Sequence, residues 1–267
     1  MKRILFNILC AFLAFASCEK SQDKGLDNDR LVEWIFEAPQ TKASLSANGT
    51  FSWSKGDEIA VWNSTGSAFV SFETFTGSGR FSADAPASAH FTDAAYHPAS
   101  IAWGTGTVVL PSSYTLAELS VGKGMPMYAA VEEGSHILNF KHLGAYLTIS
   151  ISNVPAGDTQ VIFSSDASLS GEFTVETINE EKVIRAASGS GSITVNISLT
   201  QIQDVKFTIP LPVGEYALTC TIPELLEVET DPVAFRRGHL YTLASIEANG
   251  CYHFTPTCET YDLDNWE

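Results

Sequence analysis

The chain has 267 residues, with 15 Lys+Arg against 31 Asp+Glu, a formal net charge of −16 and 45% hydrophobic residues. So acidic a surface repels phosphate backbones and lacks the basic patch that anionic lipid head groups attract, which argues against a nucleic-acid partner. The apolar content is ample for buried cores, and the length exceeds one average domain.

Lys2 and Arg3 open the chain, and residues 4–15 form an apolar run broken only by Asn7. Ala16, Ser17 and Cys18 follow. A charged start, a short apolar core and small residues are the layout of a secretory signal. The run is too short for a membrane-spanning helix, which needs about 20 residues. A cysteine at the cut resembles the lipobox of bacterial lipoproteins, in which the thiol is acylated and becomes the first mature residue. Phe15 departs from the aliphatic residue usual in that motif. An ordinary cleaved signal with an incidental cysteine is the other reading, and both take the chain out of the cytoplasm. Loss of residues 1–17 removes Lys2 and Arg3 and shifts the charge from −16 to −18. Stable membrane attachment then rests on more than one acyl chain at Cys18. Residues 18–30 read as a polar tether.

From Leu31 onward short strands succeed one another. Residues 31–36, 59–62, 68–75, 80–82, 91–96, 101–103 and 107–110 carry β-branched and aromatic residues with period two, parted by Gly, Pro, Asn and Ser. Residues 137–140, 145–151, 161–163, 171–175, 192–199, 205–211, 216–222 and 240–246 continue the style. Only residues 115–119 and 199–205 hint at helical turns. Many short strands with almost no helix predict an all-β protein made of β-sandwiches. Gly134 and Ser135 interrupt the pattern, so a boundary is placed between an N-terminal sandwich, 31–138, and a C-terminal one, 139–246. Residues 247–267 form a tail that reads as a final strand, a capping loop or a flexible end.

Cys220 lies in an alternating strand pattern and reads as a buried, inert thiol. Cys251 and Cys258 bracket a short segment and can form a local disulfide in an oxidising compartment. With only His253 beside them they do not make a zinc site. No G-x-S-x-G elbow, P-loop, H-E-x-x-H or C-x-x-C is present, so neither an enzyme activity nor a cofactor or metal is expected. His142 and His239 fall at strand starts and suit hydrogen bonding there. Asp57 follows Gly56 in a turn and suits capping of backbone amides. Glu180, Glu181 and the four acids between Glu224 and Asp231 read as solvated loops. Trp34, Trp62 and Trp103 lie in strand patterns that predict core packing, Trp53 is borderline, and Trp266 is the best candidate for an exposed ring.

Several segments carry a family resemblance. Trp53-Ser54-Lys55-Gly56-Asp57-Glu58-Ile59-Ala60-Val61 is similar to the W-x-x-G-D-x-I-x-V segment of the fimbrillin-like lipoproteins of Bacteroides and relatives. Thr41-Lys42-Ala43, Tyr96-His97-Pro98, Val108-Val109-Leu110-Pro111 and Met125-Pro126-Met127-Tyr128-Ala129 follow that family's order. Phe140-Lys141-His142-Leu143-Gly144-Ala145-Tyr146-Leu147, Leu211-Pro212-Val213-Gly214-Glu215-Tyr216 and Arg237-Gly238-His239-Leu240-Tyr241 complete it across residues 41–243. The resemblance implies two tandem transthyretin-like β-sandwich domains, an outer-membrane lipid anchor and a role as a fimbrial subunit, tip or anchor protein in adhesion. It also implies assembly by strand exchange with other fimbrial subunits after proteolysis at a basic residue, for which Arg30 and Lys42 are the candidates. A stalk role fits poorly with the short chain and the cysteine-bearing tail. The alternative is a surface lipoprotein that binds a glycan or host ligand.

Overall fold

A computed structural model describes residues 30–38, 44–45, 51–120, 124–178, 180–243 and 245–259. The first half begins with β1 (Leu31–Glu37), the short pair β2 (Ser44–Leu45) and β3 (Phe51–Ser52), and β4 (Glu58–Asn63). It continues with β5 (Ala68–Glu73), β6 (Arg80–Pro86), β7 (Phe91–His97), β8 (Ala102–Gly104), β9 (Thr107–Leu110) and β10 (Ser113–Thr115). The short helix α1 (Leu116–Ser120), β11 (Met127–Val131) and β12 (Lys141–His142) close it. The second half runs through β13 (Ala145–Val154), β14 (Gly157–Ser164), β15 (Ser170–Ile178), β16 (Glu181–Ser190), β17 (Ser192–Leu199) and β18 (Gln203–Leu211). After these come β19 (Gly214–Tyr216), β20 (Thr219–Ile222), β21 (Leu226–Thr230) and β22 (Val233–Phe235). The last strands are β23 (Leu240–Thr242), β24 (Ile246–Glu247), β25 (Gly250–Phe254) and β26 (Thr257–Glu259). The protein is nearly all β, as its alternating sequence requires.

The first sheet has the order β1-β6-β5-β4-β7-β11-β12 and is antiparallel throughout. It curls until its first strand meets the segment just past β11. Glu37 bridges Ile137, Glu37 N donates to His136 O (2.8 Å), and Leu138 N donates to Glu37 O (2.8 Å). The inner face holds an aromatic-rich core around Phe36, Ile59, Phe72, Phe81, Phe91 and Met127. The outer face, at Ala94 and Tyr96, packs on a four-stranded sheet of order β16-β15-β9-β8. That sheet draws β8 and β9 from the first half of the chain and β15 and β16 from the second.

A second pair of sheets encloses the largest core. One has the order β10-β17-β14-β20-β21-β25, the other β18-β13-β23-β26 with β24 also on β13. β17 shows the physics plainly. Ile193, Val195, Ile197 and Leu199 are buried while Thr194, Asn196 and Ser198 turn outward, because successive strand residues face opposite sides of a sheet. β13 is buried over most of its ten residues, lying between β18 on one side and β23 and β24 on the other, so it reads as an apolar run rather than an alternation. The acids expected in a loop instead alternate on β21, where Glu227 and Glu229 face solvent and Leu226, Val228 and Thr230 face the core. Residues 199–205 form no helix. They are the end of β17, a turn and the start of β18, because Leu199 and Val205 belong to opposite sheets of one core. Residues 115–119 do yield a helical turn, as α1.

Gly144 sits between β12 and β13, where a Cβ would lie 2.5 Å from Leu211 O, so only glycine lets these backbones approach. Beside it Gly238 N donates to Gly144 O (2.9 Å), and the Arg237 side chain, 8% exposed, forks onto Glu181 at 2.7 and 3.2 Å. Arg237 Nη1 also donates to His142 O (3.1 Å). Glu181 is therefore the acceptor of a planar clamp rather than a solvated loop acid, and its carboxyl is held below the ordinary value chiefly by the Arg237 hydrogen bond. Lysine cannot reproduce the fork. Arg237→Lys is expected to cost about 1–2 kcal/mol in urea denaturation, because Glu181 is itself half-exposed and the main loss is the hydrogen bond to a buried carbonyl.

Candidate functional site

β1 is held unequally on its two flanks. Toward β6 it makes a seven-residue antiparallel ladder from Leu31↔Pro86 to Glu37↔Arg80. On its other flank the single strand bridge among the described residues is Glu37↔Ile137. There a shallow groove of about 370 Å³ is lined by Glu33, Trp34, Ile35, Glu37, His136 and Ile137. His136 spans it. Its Nδ1 lies 2.9 Å from Ile35 O, its ring stacks on Trp34 at 5.9 Å, and it sits 5.5 Å from Phe36.

The apolar anchor of β1 is Phe36, 1% exposed, in edge contact with Phe72 (5.0 Å) and Phe91 (5.5 Å). Trp34 is half-buried on Phe91 (5.0 Å), and its indole N–H donates to Pro86 O (3.3 Å). At the start, Leu31 is 62% exposed and Arg30 is exposed, with Arg30 O accepting from Ala87 N (2.8 Å). The end of β1 is pinned more firmly. Ala38 is buried, its N donates to Gly79 O (2.7 Å), and its O accepts from Trp53 Nε1 (3.1 Å).

The turn that carries Trp53 explains its motif. Gly56 adopts φ +84, which glycine tolerates, and Asp57 Oδ2 accepts from Ser54 N (2.7 Å), the amide cap expected of it. Thr74 N then donates to Asp57 O (3.0 Å), locking the turn to the end of β5. Trp53 is thereby fixed against Phe81 (4.8 Å) and His97 (5.0 Å), beneath the exit of β1.

Of the residues singled out by sequence, Arg30 stands exposed at the start of β1, while Lys42 and Cys18 lie outside the described residues. Cys251 and Cys258 lie on β25 and β26, strands of two different sheets, and their side chains are outside the described ones. Cys220 is buried, and burial pushes its thiol up to about 12, so it is inert as expected. His142 Nδ1 lies 2.6 Å from Tyr146 Oη and His239 Nδ1 lies 2.9 Å from Arg237 O, both in hydrogen-bonding roles. Trp34, Trp53 and Trp62 pack against neighbouring rings. Trp103 does not. It is 71% exposed, because β8 is a three-residue edge strand whose Ala102 takes the inward position. Trp266 lies outside the described residues. His136 was invisible to sequence reasoning, since its partner Ile35 lies 101 positions away. The only signal near it was the Gly134-Ser135 interruption.

Replacing His136 by alanine removes a hydrogen bond and a stacked ring from one flank of β1. It is expected to lower local stability there by about 1–2 kcal/mol, read as faster amide exchange in β1 with little change elsewhere.

No protein-family model matches the chain, and a comparison with curated proteins finds no match. Among solved structures, the fold is similar to that of a proposed cell adhesion protein from Bacteroides ovatus, with 14% identity over 85% of this chain and 96% of that one and a TM-score of 0.50. Fainter likenesses are to a proposed cell adhesion protein from Bacteroides thetaiotaomicron (14% identity, 80% of this chain and 91% of that one, TM-score 0.37) and to the C-terminally truncated tip fimbrial protein Mfa3 from Porphyromonas gingivalis (9% identity, 80% and 94%, TM-score 0.35). At these identities the likeness is one of fold. The all-β architecture of this chain is thus shared with the Bacteroides ovatus protein, in line with the fimbrillin-like resemblance of its motifs.

Proposed function

We propose that the protein is a structural or accessory component of cell-surface fimbriae that serves adhesion. In this reading it is built from two tandem transthyretin-like sandwiches and anchored in the outer membrane by acylation of Cys18. Its partners are other fimbrial subunits. The observation that carries the reading is the unequal attachment of β1, with a complete ladder toward β6 and, among the described residues, a single bridge toward Ile137, above an aromatic core that a replacement strand can fill. Strand exchange supplies main-chain pairing while alternate side chains fill pockets. Cleavage after Arg30 severs the tether and leaves β1 in place. Cleavage after Lys42 severs the covalent link between β1 and the body, so the strand can leave.

The test is the N-terminal residue and intact mass of protein sheared from its native surface. A form beginning at Leu31 or Ala43 and associated with other subunits is the expected result. Lone monomers that all begin at Cys18 would overturn the exchange mechanism.

A second reading, a lipoprotein that binds a surface glycan or host ligand, is favoured by one observation, the 71% exposure of Trp103. A glycan array on which the protein and its Trp103→Ala variant give identical signals would remove that support.

A further inference from the structure

The last strands of the first sheet bring soft ligands together inside a core. β11 lies between β7 and β12, and Met127 stands directly opposite His97 on one side and His142 on the other. Directly opposed residues of antiparallel strands share a face, so the thioether lies in one row between two imidazoles. All three side chains are buried. The two rings are close enough for a charge on His97 to act on His142. These residues are 30 and 15 positions apart, so no local motif announces them.

The two histidines differ in what their rings still offer. His142 Nδ1 is engaged with Tyr146 Oη at 2.6 Å, and the Arg237 charge that acts on this ring is itself forked onto Glu181. His97 Nδ1 lies 2.9 Å from Glu58 O. A carbonyl oxygen only accepts, so Nδ1 carries the proton and the neutral ring keeps a bare lone pair on Nε2. Burial holds the ring neutral, with its pKa lowered to about 4. Among the described residues Nε2 has no hydrogen-bond partner. A buried acceptor with nothing to accept is costly. A ring fixed through Nδ1–H on a backbone carbonyl is also held as metal-ligating imidazoles are. Glu58 lies on β4, on one side of β7, and Met127 lies on β11, on the other. Trp53 walls the site, its ring 5.0 Å from His97 at 86° and 5.9 Å from Phe140.

We propose that His97 Nε2 and Met127 Sδ form a binding site for Cu(I) inside the first core, beside Trp53. Thioether sulfur is a soft ligand that selects Cu(I), and imidazole suits copper as well. Among the described residues no three His, Cys, Asp or Glu side chains gather as a metal site, so a tetrahedral zinc ion is not served. An ion held by these two atoms ties β7 to β11 and stabilises the folded chain by mass action. The site is separate from the edge of β1, and the proposal stands whether or not β1 is ever exchanged.

The test adds silver nitrate, a redox-inert stand-in for Cu(I), to the full chain in chloride-free buffer, with accessible thiols blocked by iodoacetamide so that cysteine does not compete. Labelled methionine methyl groups report by NMR after equilibration, since the site is enclosed. A saturable shift of the Met127 methyl is expected, complete at one equivalent, with little movement of Met125 and a rise in melting temperature. Zinc sulfate should leave the Met127 signal in place. Met127→Leu, which conserves volume, and His97→Gln should each weaken silver binding by more than about tenfold, the loss that even a supporting partner can cause. His90→Gln, at an exposed ring, should leave binding unchanged. The methyl spectrum of the unaltered protein decides the matter if a variant folds poorly. An unmoved Met127 signal, shifts that never saturate and spread equally over both methionines, or full affinity in His97→Gln would overturn the proposal.

Discussion

Truncation of Phe36 to alanine is expected to lower the unfolding free energy by about 3–5 kcal/mol, the range for emptying a buried aromatic site that cannot collapse. Phe36 is 1% exposed and wedged between Phe72 and Phe91, with Ile59 and Phe81 in the same core, so the ring leaves a cavity lined by rigid neighbours. Leu31 is on the same strand but 62% exposed, and Leu31→Ala should change stability by no more than about 0.5 kcal/mol. The contrast tests where β1 is held. If its energy lies near Phe36 and Ala38, a nick after Arg30 leaves the melting curve almost unchanged, while loss of the whole strand exposes the aromatic core. Denaturation of the two variants and of nicked protein measures all three. A cost below about 1 kcal/mol for Phe36→Ala would mean that β1 rests lightly on the core beneath it.

Acidification should destabilise the protein well above the range in which carboxylates titrate. His97 and His142 are fully enclosed, and burial lowers their pKa from 6.5 to about 4 and about 3, with Arg237 adding to the effect on His142. His97 Nδ1 lies 2.9 Å from Glu58 O, but among the described residues its Nε2 has no hydrogen-bond partner, so a second proton there would have none of them to receive it. Both histidines are neutral in the folded chain and free to charge in the unfolded one. The unfolded state therefore binds more protons between about pH 6.5 and the folded values, and stability is full above pH 6.5 and falls below it. At pH 5 each histidine withdraws about 2 kcal/mol, at 1.4 kcal/mol per pH unit. His97→Gln keeps an amide donor for Glu58 O without a titrating group, and it should flatten about half of this slope. Urea midpoints at pH 7, 6 and 5 measure it, and an unchanged slope in His97→Gln would assign the acid sensitivity elsewhere.

Strand identity was legible because burial on one face imposes period two, as on β17. What sequence did not disclose was which edge each strand occupies. Trp103 and Trp62 sit in similar local patterns, yet one lies on a bare edge strand and the other packs on Phe69 at 5.1 Å. The acids of β21 looked like a loop because each lies beside an apolar residue that only a core reveals. The site was legible in part. Arg30 and the Trp53–Asp57 turn stood out as motifs, whereas His136 and the Arg237–Glu181 clamp depend on partners 101 and 56 positions away.

The placement of the outermost strands also sets a timetable. One sheet of the C-terminal core takes its edges from β10, at residues 113–115, and from β25, at residues 250–254, while the facing sheet is completed by β26, at residues 257–259. The first sheet is whole only when residue 254 is available, and the facing sheet only when residue 259 is. At about 5–20 residues per second, the ribosome needs on the order of ten seconds to travel from β10 to β26. Through that interval the early edge waits for its late counterpart.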